Sequence, residues 1–81
     1  MQTSSPTLRR TRIAAEIRAE LARQQMSQAT LSAATGITPS TLRARLQGVQ
    51  PFWMDELDQI ANVIGVPLSE LITRSDEQVP A

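Results

Sequence analysis

Apolar side chains recur at helical spacing in five stretches of the chain. Ile13, Ala14, Ile17 and Leu21 line one side of a helix predicted from about Thr11 to Gln25. Leu31, joined by Ala34, marks a shorter helix from Ser27 to Thr35. Ile37, Leu42 and Leu46 mark a third, from Thr38 to Gln47. Leu57, Ile60, Ala61 and Ile64, with Met54 as a further core candidate, give a fourth that starts near Phe52 or Trp53 and ends at Gly65. Leu68, Leu71 and Ile72 give a fifth, from Leu68 to Thr73, opened by Pro67. The pattern predicts an all-α fold of five short helices.

The polar residues between these stripes punctuate them. From Met26 to Gly48 the order is cap, helix, glycine turn, cap, helix. Ser27 can accept a hydrogen bond from a free N–H at the start of the second helix, and Thr38 can do the same for the third. Pro39 then takes the first helical position, where its missing N–H costs nothing. Met26 and Ile37 each precede a cap and can staple to Leu31 and Leu42. Gly36 suits the left-handed turn that ends the second helix, and Gly48 the end of the third. About three residues separate the two helices, which forces the steep crossing of a helix-turn-helix.

Ser40, Arg43, Ala44 and Gln47 follow the spacing i, i+3, i+4, i+7 and share the side of the third helix away from Leu42 and Leu46. That side carries a guanidinium, a hydroxyl, an amide and a methyl, with no acid. These groups suit the major groove: arginine can bond guanine O6 and N7, serine can donate or accept, and an alanine methyl can touch that of thymine.

The chain resembles the Cro/CI-type (lambda-repressor-like, XRE-type) helix-turn-helix domain over roughly residues 13 to 74. The matching residues are Ser27-Gln28-Ala29-x-Leu31, Gly36-Ile37, Ser40-Thr41-Leu42 and Gly48, followed downstream by Leu57-x-x-Ile60-Ala61-x-x-Ile64-Gly65-Val66-Pro67-Leu68-x-x-Leu71. The span from Thr41 through Pro51-Phe52 to Val66 is similar to small regulators of this family from actinobacteria and their phages. The resemblance implies a compact lambda-repressor-like fold and double-stranded DNA as the partner. It implies base contacts from Pro39, Ser40, Arg43 and Ala44, and phosphate contacts from Ser27, Gln28, Thr38 and Gln47. It also implies a homodimer on a palindromic operator, with the last helix commonly part of the dimer interface.

Three positions depart from the family. Arg45 stands where an apolar residue is usual, three residues after Leu42; it can lay its stem on the core and reach a phosphate or an acid of the first helix. Trp53 stands where a capping Ser or Thr is common; it can pack at the domain edge with Phe52, donate its indole N–H to a phosphate, or join a dimer contact. Ser32 replaces the usual alanine at a close helix contact.

Composition changes the picture in one respect. The 81 residues carry no net charge, but the charge is sorted. Residues 1–50 hold Arg9, Arg10, Arg12, Arg18, Arg23, Arg43 and Arg45 against Glu16 and Glu20, a net of +5. Residues 51–81 hold Arg74 against Asp55, Glu56, Asp58, Glu70, Asp76 and Glu77, a net of −5. The positive part contains the helix-turn-helix, as a polyanion partner requires. The organisation expected is a flexible basic arm over 1–10, a domain over 11–74 and a disordered tail over 75–81. Arg9, Arg10 and Arg12 are candidate phosphate contacts at the mouth of the first helix. Glu16, Arg18, Glu20 and Arg23 are expected to face water. Glu16 and Glu20 are a like-charge pair one turn apart that calls for a nearby cation, with Arg45 a candidate.

Other function classes find little support. Without Cys, His, Tyr or Lys there is no thiolate and little to act as base or nucleophile, and no carboxylates have metal-ligand spacing. Asp55, Glu56 and Asp58 fill a first helical turn, where the dipole favours anions. No cofactor and no catalysis are expected. No apolar run reaches a membrane span of ~20 residues, so a cytoplasmic location is expected. The reading is a transcriptional regulator, a small phage-type repressor, with activation equally compatible. The alternative is a protein-interaction module, an antitoxin or anti-repressor using Trp53 and the acidic half.

Overall fold

Five helices form the computed structural model, which describes residues 6–77, with side chains from Arg9 onward. They are α1 (Pro6–Gln24), α2 (Gln28–Thr35), α3 (Pro39–Leu46), α4 (Met54–Ile64) and α5 (Leu68–Asp76). Among the described residues there is no strand. The expected tail segments at 1–5 and 78–81 lie outside the described residues.

The apolar stripes meet in one core. Ile17 and Leu21 of α1, Leu31 of α2, Leu42 and Leu46 of α3, Ile60 and Ile64 of α4 and Leu71 of α5 are all buried, with Ile37 and Val66 closing it from the turns. Ile13, Met26, Phe52 and Leu68 pack against this cluster. Ala34 and Met54, expected inside, are exposed. Leu31 and Ser32 are the buried residues of α2, and Met54 sits a full turn before Leu57, at the outer edge of α4.

Both ends of the domain are more helical than expected. α1 begins at Pro6 rather than Thr11, so Arg9, Arg10 and Arg12 lie within a helix. A proline suits a first helical position because its missing N–H has no bond to make there. α5 runs past Thr73 to Asp76, because its last turn docks on α1. Ser75 is fully buried and donates to the Ile72 carbonyl at 2.8 Å, and Arg12 Nε donates to the Ser75 carbonyl at 3.2 Å.

A charged seam joins α1 to α5. Glu16 and Glu20, expected in water, are buried. Their cations are Arg23 and Arg74 rather than Arg45. Arg23 Nη2 lies 2.9 Å from Glu16 Oε2 and 2.8 Å from Glu20 Oε1, and Arg74 Nη1 reaches Glu20 Oε1 at 3.0 Å. Arg74 also pairs with Glu70 on its own helix. Gln24 Nε2 donates to Glu20 Oε2 at 2.8 Å and to the Ile64 carbonyl at 2.6 Å, which brings the end of α4 into the same seam. The Gln24 amide first, then Arg23 and Arg74, hold the Glu20 carboxyl below its usual range, against the opposing effect of burial.

Candidate nucleic-acid interface

The crossing of α2 and α3 is fixed locally, by backbone and short hydroxyl side chains. Ser27 caps α2: its Oγ accepts from the Thr30 N–H at 3.0 Å. Gly36 turns the chain out of α2 at φ 79°, and its N–H bonds the Ser32 carbonyl at 2.9 Å. Ser32 does more than an alanine could, because its buried hydroxyl donates to the Ile37 carbonyl across the turn. Thr35 Oγ1 donates to the Leu31 carbonyl at 2.8 Å and accepts from the Ile37 N–H at 3.3 Å. The turn is thereby tied to the helix it leaves.

Thr38 does occupy the N-cap position of α3, with Pro39 next, but its hydroxyl makes no cap bond. The expected cap is therefore absent, and Thr38 is exposed. Leu42 and Leu46 face inward, so the rotation of α3 agrees with its apolar stripe. Pro39, Ser40, Arg43 and Gln47 are exposed and Ala44 is half-buried. No acid lies on this face, and Arg43 makes no ion pair among the described residues. Ser27 and Gln28, at the start of α2, are exposed too. The α2 N-terminus thus offers free N–H groups and an amide beside α3, an arrangement that suits a phosphate.

The end of α3 is held by α1. Gly48, at φ 77°, turns the chain so that Val49 N–H reaches back to the Ala44 carbonyl at 3.0 Å. A Cβ on Gly48 would stand 3.3 Å from Thr11 Oγ1, so the loop passes tightly over α1. Arg18 of α1 donates to the Leu46 carbonyl, and Arg10 Nη1 to the Val49 carbonyl at 3.3 Å. Two cations therefore meet the negative end of α3. Arg18 was expected merely to face water; nothing within its own helix signals a partner 28 residues away.

Arg45 is explained by α4. It is buried, and its Nε donates to Glu56 Oε1 at 2.6 Å while its Nη1 donates to Gln50 Oε1 at 2.7 Å. The same Glu56 Oε1 accepts the Trp53 N–H at 2.9 Å, so one carboxylate caps α4 and neutralises the odd arginine of α3. The Trp53 ring, exposed, sits 5.8 Å from the Arg45 guanidinium carbon. Arg45 thus reaches neither an acid of α1 nor the open face of α3.

Of the three basic residues near the N-terminus, Arg10 holds Val49, and the other two are engaged at the other end of the domain. Arg9 and Arg12 each lie 3.6 Å from Asp76 of α5, and Arg12 is nearly enclosed. No cluster of potential metal ligands occurs among the described residues. No helix among them is long and apolar enough to cross a membrane.

A short cap-helix-turn-helix whose second helix presents an acid-free polar face has counterparts among known sequences. The sequence profile of the Cro/C1-type HTH DNA-binding domain matches residues 16–77. The chain belongs to this family. No curated protein and no solved structure gives a significant match. The matched region takes in α2 through α5 and the C-terminal part of α1. The family is one of DNA-binding domains.

Proposed function

We propose that this protein is a sequence-specific, double-stranded DNA-binding transcriptional regulator, a small phage-type repressor that works in the cytoplasm. In this reading α3 enters the major groove and places Pro39, Ser40, Arg43 and Ala44 at base edges. Ser27, Gln28, Thr38 and Gln47 hold the flanking phosphates. A homodimer spans a palindromic operator with half-sites about one helical turn apart. Repression follows from covering a promoter.

The observation that carries this reading is the state of Arg43. It is a solvent-facing guanidinium with no carboxylate partner among the described residues, on a helix whose neighbouring arginine, Arg45, is fully neutralised inside. The phage-type assignment rests on the resemblance of the span from Thr41 to Val66. Selection of bound duplexes from a random DNA pool, at near-physiological salt, tests the proposal. An enriched palindrome is expected. The absence of enrichment would sink it and favour the protein-interaction module.

A further inference from the structure

The three large hydrophobic side chains most exposed in the domain lie within six residues of one another. Val49, Trp53 and Met54 are 64%, 68% and 61% exposed. Val49 and Trp53 belong to the segment that joins α3 to α4, and Met54 opens α4. Beside them is a groove of 220 Å³, walled by Arg9, Arg10 and Ile13 of α1 and by Pro51, Phe52 and Leu57. The protruding residues and the groove are thus neighbours in the chain: Trp53 directly follows the wall residue Phe52.

Their charges are opposite. Arg9 and Arg10 flank the groove. Asp55 and Asp58, both exposed, follow Trp53 and Met54 on the first turns of α4. A projection bordered by acids beside a hollow bordered by guanidiniums is self-complementary about a two-fold axis. In such a pairing the Trp53 of one copy would meet the groove of the other, its Asp55 and Asp58 would meet the other's Arg9 and Arg10, and the contact would repeat in reverse. A phosphate at this point would face the exposed carboxylates of Asp55 and Asp58, which argues against DNA as the occupant.

We propose that this surface is the dimer interface and that its occupant is a second copy of this chain. The inference rests on the homodimer of the functional reading and names its contact. The surface begins at Gly48, beyond the last residue of α3, so pairing leaves Ser40, Arg43 and Gln47 open. A Trp closing a pocket is the kind of anchor that dominates such contacts.

Self-association without DNA tests it. Sedimentation equilibrium of the full chain should show a monomer–dimer equilibrium. Emission of Trp53, the single tryptophan, should shift to the blue as concentration rises. Trp53→Ser should weaken association by about tenfold or more, with far-UV circular dichroism unchanged. Asp55→Arg/Asp58→Arg and Arg9→Glu/Arg10→Glu should each self-associate poorly and should pair with each other when mixed. A chain that stays monomeric overturns the proposal, as does a dimer that Trp53→Ser leaves intact. The outcome is separable from the DNA result: a dimer through this face that selects no duplex refutes the regulator alone, and a chain that selects a palindrome but whose dimer survives Trp53→Ser refutes the interface alone.

Discussion

Arg45 on α3 and Glu56 on α4 share a hydrogen bond of 2.6 Å with both side chains almost enclosed, 10% and 14% exposed. The pair bridges the loop between the helices. It lets an arginine occupy a position on the inward side of α3 that apolar residues usually fill. Glu56→Ala leaves that guanidinium buried with only Gln50 and removes the cap on the Trp53 N–H. We expect a loss of about 2–4 kcal/mol in urea unfolding. Arg45→Met keeps the bulk and discards the charge, and should cost about 1 kcal/mol or less. Equal losses for the two would show that the ion pair itself, rather than relief of a buried charge, supplies the stability.

The two N-caps of the helix-turn-helix should respond differently to the same change. Ser27→Ala removes the acceptor of the Thr30 N–H and should cost roughly 1 kcal/mol. Thr38→Ala removes a hydroxyl that bonds nothing at the cap, and should change stability by no more than about 0.5 kcal/mol. Thermal melts of both variants decide it. A large loss at Thr38 would mean its hydroxyl caps α3 in solution.

Gln25 ends α1 at φ 56°, a left-handed conformation that glycine adopts without strain. Gln25→Gly is expected to stabilise the domain by about 0.5–1 kcal/mol, or to raise Tm by about 4–8 °C per kcal/mol. Gly36→Ala, at φ 79° with open space around it, should be destabilising for backbone reasons alone. A neutral Gly36→Ala would show that the turn adjusts.

Acid should loosen the seam between α1 and α5. The Glu20 carboxyl is held below its ordinary value of 4.5, chiefly by the Gln24 amide and then by Arg23 and Arg74. Its contribution is complete above that ordinary value and is lost as pH falls through the lower value of the folded state. Urea midpoints should therefore be level near neutrality and decline below about pH 4.5. Glu20→Gln should be less stable at neutrality and show a shallower decline. An unchanged acid limb in Glu20→Gln would assign the pH dependence to other carboxylates.

On a selected operator, Arg43→Ala should cost about 1–3 kcal/mol and relax preference at one base position. Gln28→Ala should weaken all sequences alike, as loss of a phosphate contact does. Binding titrations against operator variants separate the two patterns. A uniform loss for Arg43→Ala would move it from the bases to the backbone.

Helical periodicity made much of the core legible. Ile17 with Leu21, and Leu57 with Ile60, Ala61 and Ile64, repeat at the spacing of one helix face and are buried together. Gly36 was legible as a turn, and the outward position of Ser40, Arg43 and Gln47 followed from the inward position of Leu42 and Leu46. What periodicity does not carry is the partner across the fold. Glu16 and Glu20 look solvated until α5 covers them with Arg74, which lies 54 residues beyond Glu20. Arg18 meets the end of α3, and Arg45 finds its acid on α4 rather than on α1. Thr38 shows a subtler limit, since a capping residue in a capping position still leaves its hydroxyl unused. Arg9 and Arg12 likewise find their acid, Asp76, at the far end of the chain.

The hydroxyls of Ser32 and Thr35 bind the turn to α2, and Arg10 and Arg18 grip the far end of α3. Between these anchorages Ser40, Arg43 and Gln47 support nothing else in the domain. In the proposed reading, substitutions at these three places change recognition and leave folding nearly untouched. On that reading evolution, or an engineer, would rewrite the target sequence of such a domain one side chain at a time, with every intermediate along the way a folded protein.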